Sequence, residues 1–311
     1  MKHRISSAAL RKNLTSGTAL ALYTYLLLLA CRFIDASILT RDNEYFSIVI
    51  LQIMVFLLPA FACLLLRGKP FFEELPLAGL RADHILLIAA ASLTLVSGSI
   101  LLEMAVGLGK LPEADFSLYD TFVSKNDGTV PRAIYLVMTY AALPAFCEEL
   151  IYRGIYCAEY GKEGFFSSVG MSMLFFSLLH FDPAGLPVYF FSAILLCATL
   201  LATRSLFASM IVHFTYNLFG LFGAPTLSAV FNATGGSWLF IFVLIVTFLL
   251  GAIVFTGEAA RLYRGLSLKA PLPPVQAELP ARDSLRLFVS HLTEPTAIAC
   301  FVLYLVAVIF F

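Results

Sequence analysis

Long apolar runs separated by short polar stretches dominate this chain. A helix that crosses a bilayer needs about 20 mostly apolar residues. Runs of that kind recur near 18–38, 46–66, 84–107, 132–157, 167–181, 187–203, 206–222, 237–257 and 296–311. The fifth and sixth are short for a crossing. The pattern predicts an all-α protein, a polytopic transmembrane helical bundle of eight or nine spans, with the ends of each run set less firmly than its existence.

Basic residues fall between the runs rather than within them. Lys2, Arg4, Arg11 and Lys12 precede the first run, Arg67, Lys69 and Arg81 follow the second, and Arg261, Arg264, Lys269, Arg282 and Arg286 follow the eighth. By the positive-inside tendency these segments face the cytoplasm, the N-terminus among them, and the loops at 39–45 and 108–131 face the other way. Four parts are expected: a cytoplasmic tail over 1–17, a membrane domain over 18–257, a cytoplasmic segment over 258–295 and a C-terminal span over 296–311. Within 258–295, Pro271, Pro273, Pro274 and Pro280 suggest a linker. Leu285, Phe288 and Leu292, three and four apart, suggest an amphipathic surface helix after it.

Composition sharpens this picture in a few respects. The chain of 311 residues is 60% hydrophobic and 13% charged, against about 25% charged in soluble domains, and the apolar excess must face lipid. A formal net charge of zero gives no reason to expect a nucleic-acid partner. All six cysteines lie in apolar stretches without a CxxC pair, so they read as small hydrophobes rather than as a disulfide framework or a zinc site. Leu28-Leu29-Ala30-Cys31 has the outline of a lipoprotein cleavage box, but the long polar lead and the many later runs argue for an ordinary span.

Ionisable side chains inside a span cost at least about 2.5–3.5 kcal/mol at the helix centre and so mark functional positions by default. The densest set is Glu148-Glu149-Leu150-Ile151-Tyr152-Arg153 near the end of the fourth run; Phe176 with His180 and His213 with Asn217 follow on later runs. In an α-helix, residues four apart share a face, so Glu149 and Arg153 are placed to pair. Glu148 then points about 100° away, and a carboxylate without that partner in a water-poor setting suits a general base. His213 and Asn217 present an imidazole and a carboxamide side by side, donors suited to a developing oxyanion. His180 lies just before Asp182-Pro183, where the helix should break, and there it could share a proton with Glu148 and orient a water.

Bland alternatives exist for each pair. Glu149 with Arg153 suits a structural ion pair, and His213 with Asn217 suits a hydrogen-bonded bridge between helices. Phe71-Phe72-Glu73-Glu74 repeats the paired glutamates in a loop ahead of Pro76 and reads as solvated. His84 sits at a span edge, and His3 and His291 lie outside the spans, so none of the three is a strong site candidate.

Taken together the three pairs resemble the motifs of the CPBP family, the intramembrane glutamic endopeptidases that group type II CAAX prenyl proteases with bacteriocin-processing and immunity proteins. Glu148 to Arg153 fits EExxxR, Phe176 to His180 fits FxxxH, and His213 to Asn217 fits HxxxN/D, in the family's order, within a protease-like core at about 130–222. The resemblance implies an endopeptidase that needs no cofactor and cuts a membrane-associated protein or peptide. It implies that Glu148 and His180 activate water, that His213 and Asn217 form the oxyanion hole, and that Glu149, Arg153 and Phe176 support the site. The expected setting is the plasma membrane of a prokaryote, with the lipid bilayer as solvent. Other functions for the same residues are a zinc site on Glu148, His180 and His213, a proton relay in a transporter, and an immunity or scaffold protein that binds without cutting.

Overall fold

A computed structural model describes residues 13–38, 49–107, 117–125, 128–269 and 279–310. The leading basic residues up to Lys12, the loop at 39–45, residues 108–116 and 126–127 of the loop at 108–131, and the prolines Pro271, Pro273 and Pro274 lie outside them. The described chain is helical, apart from an isolated antiparallel bridge between Leu77 and Ser205. In order the helices longer than one turn are α1 Gly17–Ile38, α2 Val49–Arg67, α3 Ile85–Val106, α4 Ser117–Lys125 and α5 Val130–Glu163. They continue as α6 Phe165–Leu178, α7 Leu186–Thr203, α8 Leu206–Ala233, α9 Ser237–Lys269, α10 Ala281–Leu292 and α11 Pro295–Phe310.

Among the described residues, each of the nine apolar runs contains a helix. Among the described residues six helices are long and apolar enough to cross a membrane, and a seventh arises if α10 and α11, bent by 65° at their junction, count as one. The apolar stretches Gly17–Cys31 and Phe165–Leu178 fall short of full crossing length. The chain is therefore a polytopic membrane protein, with a span count that depends on how the short helices are treated.

The helices sort into two compact units. One contains 77–149 and 184–271; the other contains residues up to Pro76, 150–183 and the chain from Leu272 onward. The first unit is built on α3. Its Leu87, Ala91 and Leu95 pack with Leu195 and Leu196 of α7, Val212 of α8 and Phe255 and Leu262 of α9. Small residues let these helices approach closely, as membrane interfaces favour. A Cβ on Gly251 of α9 would lie 2.7 Å from Thr94 Oγ1 and 3.2 Å from Thr94 N on α3.

In the second unit, aromatic side chains fill the space between α1, the end of α5, α6 and α11. Tyr25 Oη donates to the Phe175 carbonyl at 2.7 Å, and Tyr156 Oη to the Gly17 carbonyl at 2.7 Å. Phe175 and Phe301 stack at 6.0 Å. Helix α10 is docked along α6 through Ser284 and Phe288 and leaves Leu285 and Val289 exposed. A Cβ on Gly170 would meet the Phe288 ring at 2.9 Å, and the Ser167 amide donates to Ser284 Oγ at 3.1 Å. The eighth run ends near 257 by hydropathy, but its helix α9 continues to Lys269.

Candidate active site

Helix α5 carries the first motif, and its ladder is not uniformly α-helical. Met138–Ala142 and Leu150–Ile155 are π turns, and only Leu143–Glu149 between them keeps the α register. Pro144 explains the first of these. A proline has no N–H to give, and in α register its ring collides with the carbonyl four residues back. Widening the turn just before it relieves both problems. The same relation recurs in α2, where the π turn Ile53–Leu57 precedes Pro59. Such insertions are rare and frequent at functional sites, and here two of them bracket Glu148 and Glu149.

Within the first unit the paired glutamates meet α8. Glu149 is fully buried, Glu148 and His213 nearly so. His213 Nδ1 lies 3.0 Å from Glu149 Oε1, and its Nε2 lies 4.0 Å from Glu148 Oε2. The carboxylate of Glu149 can only accept when ionised, so Nδ1 carries a proton toward it and the imidazole is fixed with Nε2 turned to Glu148. One turn further along α8, Asn217 Nδ2 donates to the Ala141 carbonyl at 3.4 Å. That carbonyl belongs to the π turn before Pro144. The turn thus lies against the same face of α8 that presents His213.

The second unit holds the remaining motif residues. Arg153 is fully buried, with its guanidinium 4.1 Å above the Phe176 ring. Tyr152 meets the same ring edge-on at 5.6 Å. Phe176 in turn packs against His180 at 5.2 Å, and its carbonyl accepts from His180 Nδ1 at 3.0 Å. With Nδ1 protonated, Nε2 is the basic atom of that ring. Helix α6 ends at Leu178, and Phe181 adopts a positive φ of 51° ahead of Asp182-Pro183. The break expected from Pro183 is thus already complete at His180, which sits half-buried in the turn.

The structure brings Glu148, Glu149, His213 and Asn217 together in one unit and Arg153, Phe176 and His180 together in the other. Two contributors were not visible in the sequence. The Ala141 carbonyl carries no residue-type signal, and Tyr152 reads as a variable position inside its motif. Among the described residues no group of three or more His, Cys, Asp or Glu side chains is arranged to hold a metal ion.

Residues 130–219 match the family model described as type II CAAX prenyl endopeptidase Rce1-like. The match covers under a third of the chain and contains all seven motif residues discussed above. Comparison with curated proteins and with solved structures gives no match.

Proposed function

We propose that this polytopic membrane protein, with its Rce1-like match over 130–219, is a metal-independent intramembrane endopeptidase that hydrolyses a peptide bond of a membrane-associated protein or peptide. The observation that carries the reading is the His213 imidazole held between two glutamates, 3.0 Å from Glu149 and 4.0 Å from Glu148, inside the matched segment. A buried carboxylate aimed at an oriented imidazole is a pairing that acyl-transfer chemistry uses and simple packing does not need.

In the proposed reaction Glu148 takes a proton from water as the water oxygen attacks the scissile carbonyl carbon, and His180 helps to orient that water and shares the proton through Nε2. The carbonyl oxygen becomes an oxyanion. His213, with both ring nitrogens protonated, donates through Nε2 while Nδ1 remains on Glu149, and Asn217 donates through its amide. The C–N bond then breaks as the proton reaches the leaving amine, which gives a carboxylate and an amine as products. Glu149, Arg153 and Phe176 hold these groups in place. Donors of this kind contribute roughly 3–4 kcal/mol each to transition-state stabilisation in other acyl-transfer enzymes.

The test uses purified full-length protein, membrane-anchored peptide libraries, parallel runs without and with a chelator, and mass spectrometry to find cut bonds. Wild type should cut defined bonds, and Glu148→Gln, His180→Ala and Asn217→Ala should lose that activity while their melting curves remain cooperative. Equal cutting by wild type and Glu148→Gln would sink the mechanism. Loss of cutting on adding chelator would replace it with a metal-dependent one.

A further inference from the structure

Helices α10 and α11 lie beyond the family match, yet a chain of short hydrogen bonds ties them to the end of α5. His291, in the last turn of α10, places Nε2 at 2.7 Å from Glu163 Oε2 and Nδ1 at 2.7 Å from Glu294 Oε1. Both carboxylates also accept from hydroxyls, Glu163 from Ser167 Oγ at 2.7 Å and Glu294 from Thr18 Oγ1 at 2.6 Å. Thr296 Oγ1 donates to Thr18 Oγ1 at 2.7 Å. Two carboxylates that act as acceptors can satisfy one imidazole only if both ring nitrogens carry protons.

We infer that His291 is a proton-held clasp: as an imidazolium between Glu163 and Glu294 it fastens the C-terminal helices to α5, α6 and α1, and loss of its proton releases α10. This goes beyond the proposed peptidase activity and does not depend on it. Five helices meet at the clasp, since Glu163 ends α5, Ser167 lies in the first turn of α6, and Thr18 opens α1. Helix α6 ends beside His180, so the clasp sits at the opposite end of the helix that positions that residue. The Gly164 turn between α5 and α6 fits the same joint. It has φ of +91°, and a Cβ there would come within 2.9 Å of Ser284 Oγ on α10.

Solvent can reach the clasp. It borders a cavity of about 730 Å³ whose charged lining also includes Arg67, Glu74, Glu159 and Lys162. These four are matched in pairs, Arg67 with Glu159 at 2.8 Å and Lys162 with Glu74 at 2.5 Å. The Tyr160 ring lies edge-on to His291 at 4.9 Å. Helix α10 carries Arg282, Asp283 and Arg286 and is too polar to cross a bilayer. Burial by itself would pull the His291 pKa down, but the hydrogen bonds and charges of Glu163 and Glu294 outweigh it and hold the value at about 9. A group raised in the folded state stabilises fully below its ordinary value of 6.5, and that contribution disappears as pH rises through about 9.

Trypsin cleavage after Arg282 and Arg286 reports the release of α10. The rate is measured on the full-length protein in detergent from pH 7 to pH 10 and divided by the rate on a free peptide of residues 279–292 at each pH. Wild type should be protected at pH 7 and lose about tenfold of that protection across pH 9. His291→Gln should be cut faster at pH 7 with a flat profile, and Glu163→Gln should move the wild-type transition to lower pH. Lys162→Arg, which stays charged at pH 10, should leave the wild-type profile unchanged. A flat wild-type profile, unaltered protection in His291→Gln, or a transition that moves with Lys162→Arg would each overturn the clasp.

Discussion

Replacing Glu149 by glutamine removes a charge and leaves an oxygen acceptor of nearly the same shape at the same place. The fully buried Glu149 carboxylate accepts from His213 Nδ1 at 3.0 Å. Charge-assisted hydrogen bonds are roughly twice as strong as neutral ones, so Glu149→Gln should weaken the hold on the imidazole by about 1–1.5 kcal/mol. If His213 acts in the transition state, this appears as a fall of about fivefold to about tenfold in kcat/KM. Glu149→Leu, which leaves Nδ1 without that acceptor, should cost about 1.5–3 kcal/mol, or about tenfold to about a hundredfold. The assay is quantitative mass spectrometry of product from a peptide found in the library screen, with thermal melts to confirm folding. Two results would refute the assignment. If both variants cut at the wild-type rate, Glu149 does not hold His213 for chemistry. If Glu149→Gln is as inactive as Glu148→Gln, Glu149 takes part in proton transfer and the roles of the two glutamates must be redrawn.

Three further outcomes follow from packing and are read by thermal melting in detergent. Gly164→Ala places an L side chain at φ +91° and ψ −178° and pushes on Ser284; that backbone conformation costs about 1–3 kcal/mol for a residue other than glycine and the strained Ser167–Ser284 bond about 0.5–1.5 kcal/mol more, so an unchanged melt would show that the α5–α6 turn relaxes freely. Arg153→Lys keeps the charge but loses the flat guanidinium over Phe176 at 4.1 Å, a change of about 1–2 kcal/mol in a desolvated setting. A wild-type melting temperature would mean that the stack contributes nothing. Gly251→Leu forces α9 away from the Thr94 backbone on α3 and should destabilise by about 1–3 kcal/mol, whereas Gly257→Leu, where a Cβ meets nothing within 4 Å, serves as the neutral comparison.

Much of the architecture could be read from hydropathy, because the bilayer makes a long apolar run a strong statement: among the described residues each of the nine runs contains a helix. Residue order and type also marked the candidate site, since ionisable groups inside apolar runs are costly and few. Pairing was less legible. Spacing by four speaks only to neighbours within α5, such as Glu149 and Arg153. The contact of Glu149 with His213 joins residues 64 apart in sequence, a relation no local periodicity encodes. His291 lies outside the apolar runs, where hydropathy gives a histidine no weight, yet it makes two carboxylate contacts of 2.7 Å. Contacts were the missing information, because α10 is an amphipathic helix at the surface whose docking place shows only when Ser284 and Phe288 are seen against α6.

The widened turn at Met138–Ala142 gives α5 one place where its length can change and an ordinary helix has none. A π turn holds one residue more than the α register needs, so deleting a single residue there would let the ladder close up instead of leaving a gap. In an ordinary helix such a deletion would rotate everything upstream by about 100° relative to Glu148 and Glu149; here the surplus residue absorbs that rotation. Leu136, fully buried, would keep its packing surface, while the carbonyl that receives the Asn217 amide would be displaced and the Pro144 ring would again crowd the carbonyl four residues back. Insertion and deletion scanning of α5 should accordingly find shortening by one residue at 138–142 less damaging to the fold than the same deletion at 131–136 or 143–147. Sequences descended from this one would be expected to change the length of α5 at 138–142 before they change it elsewhere.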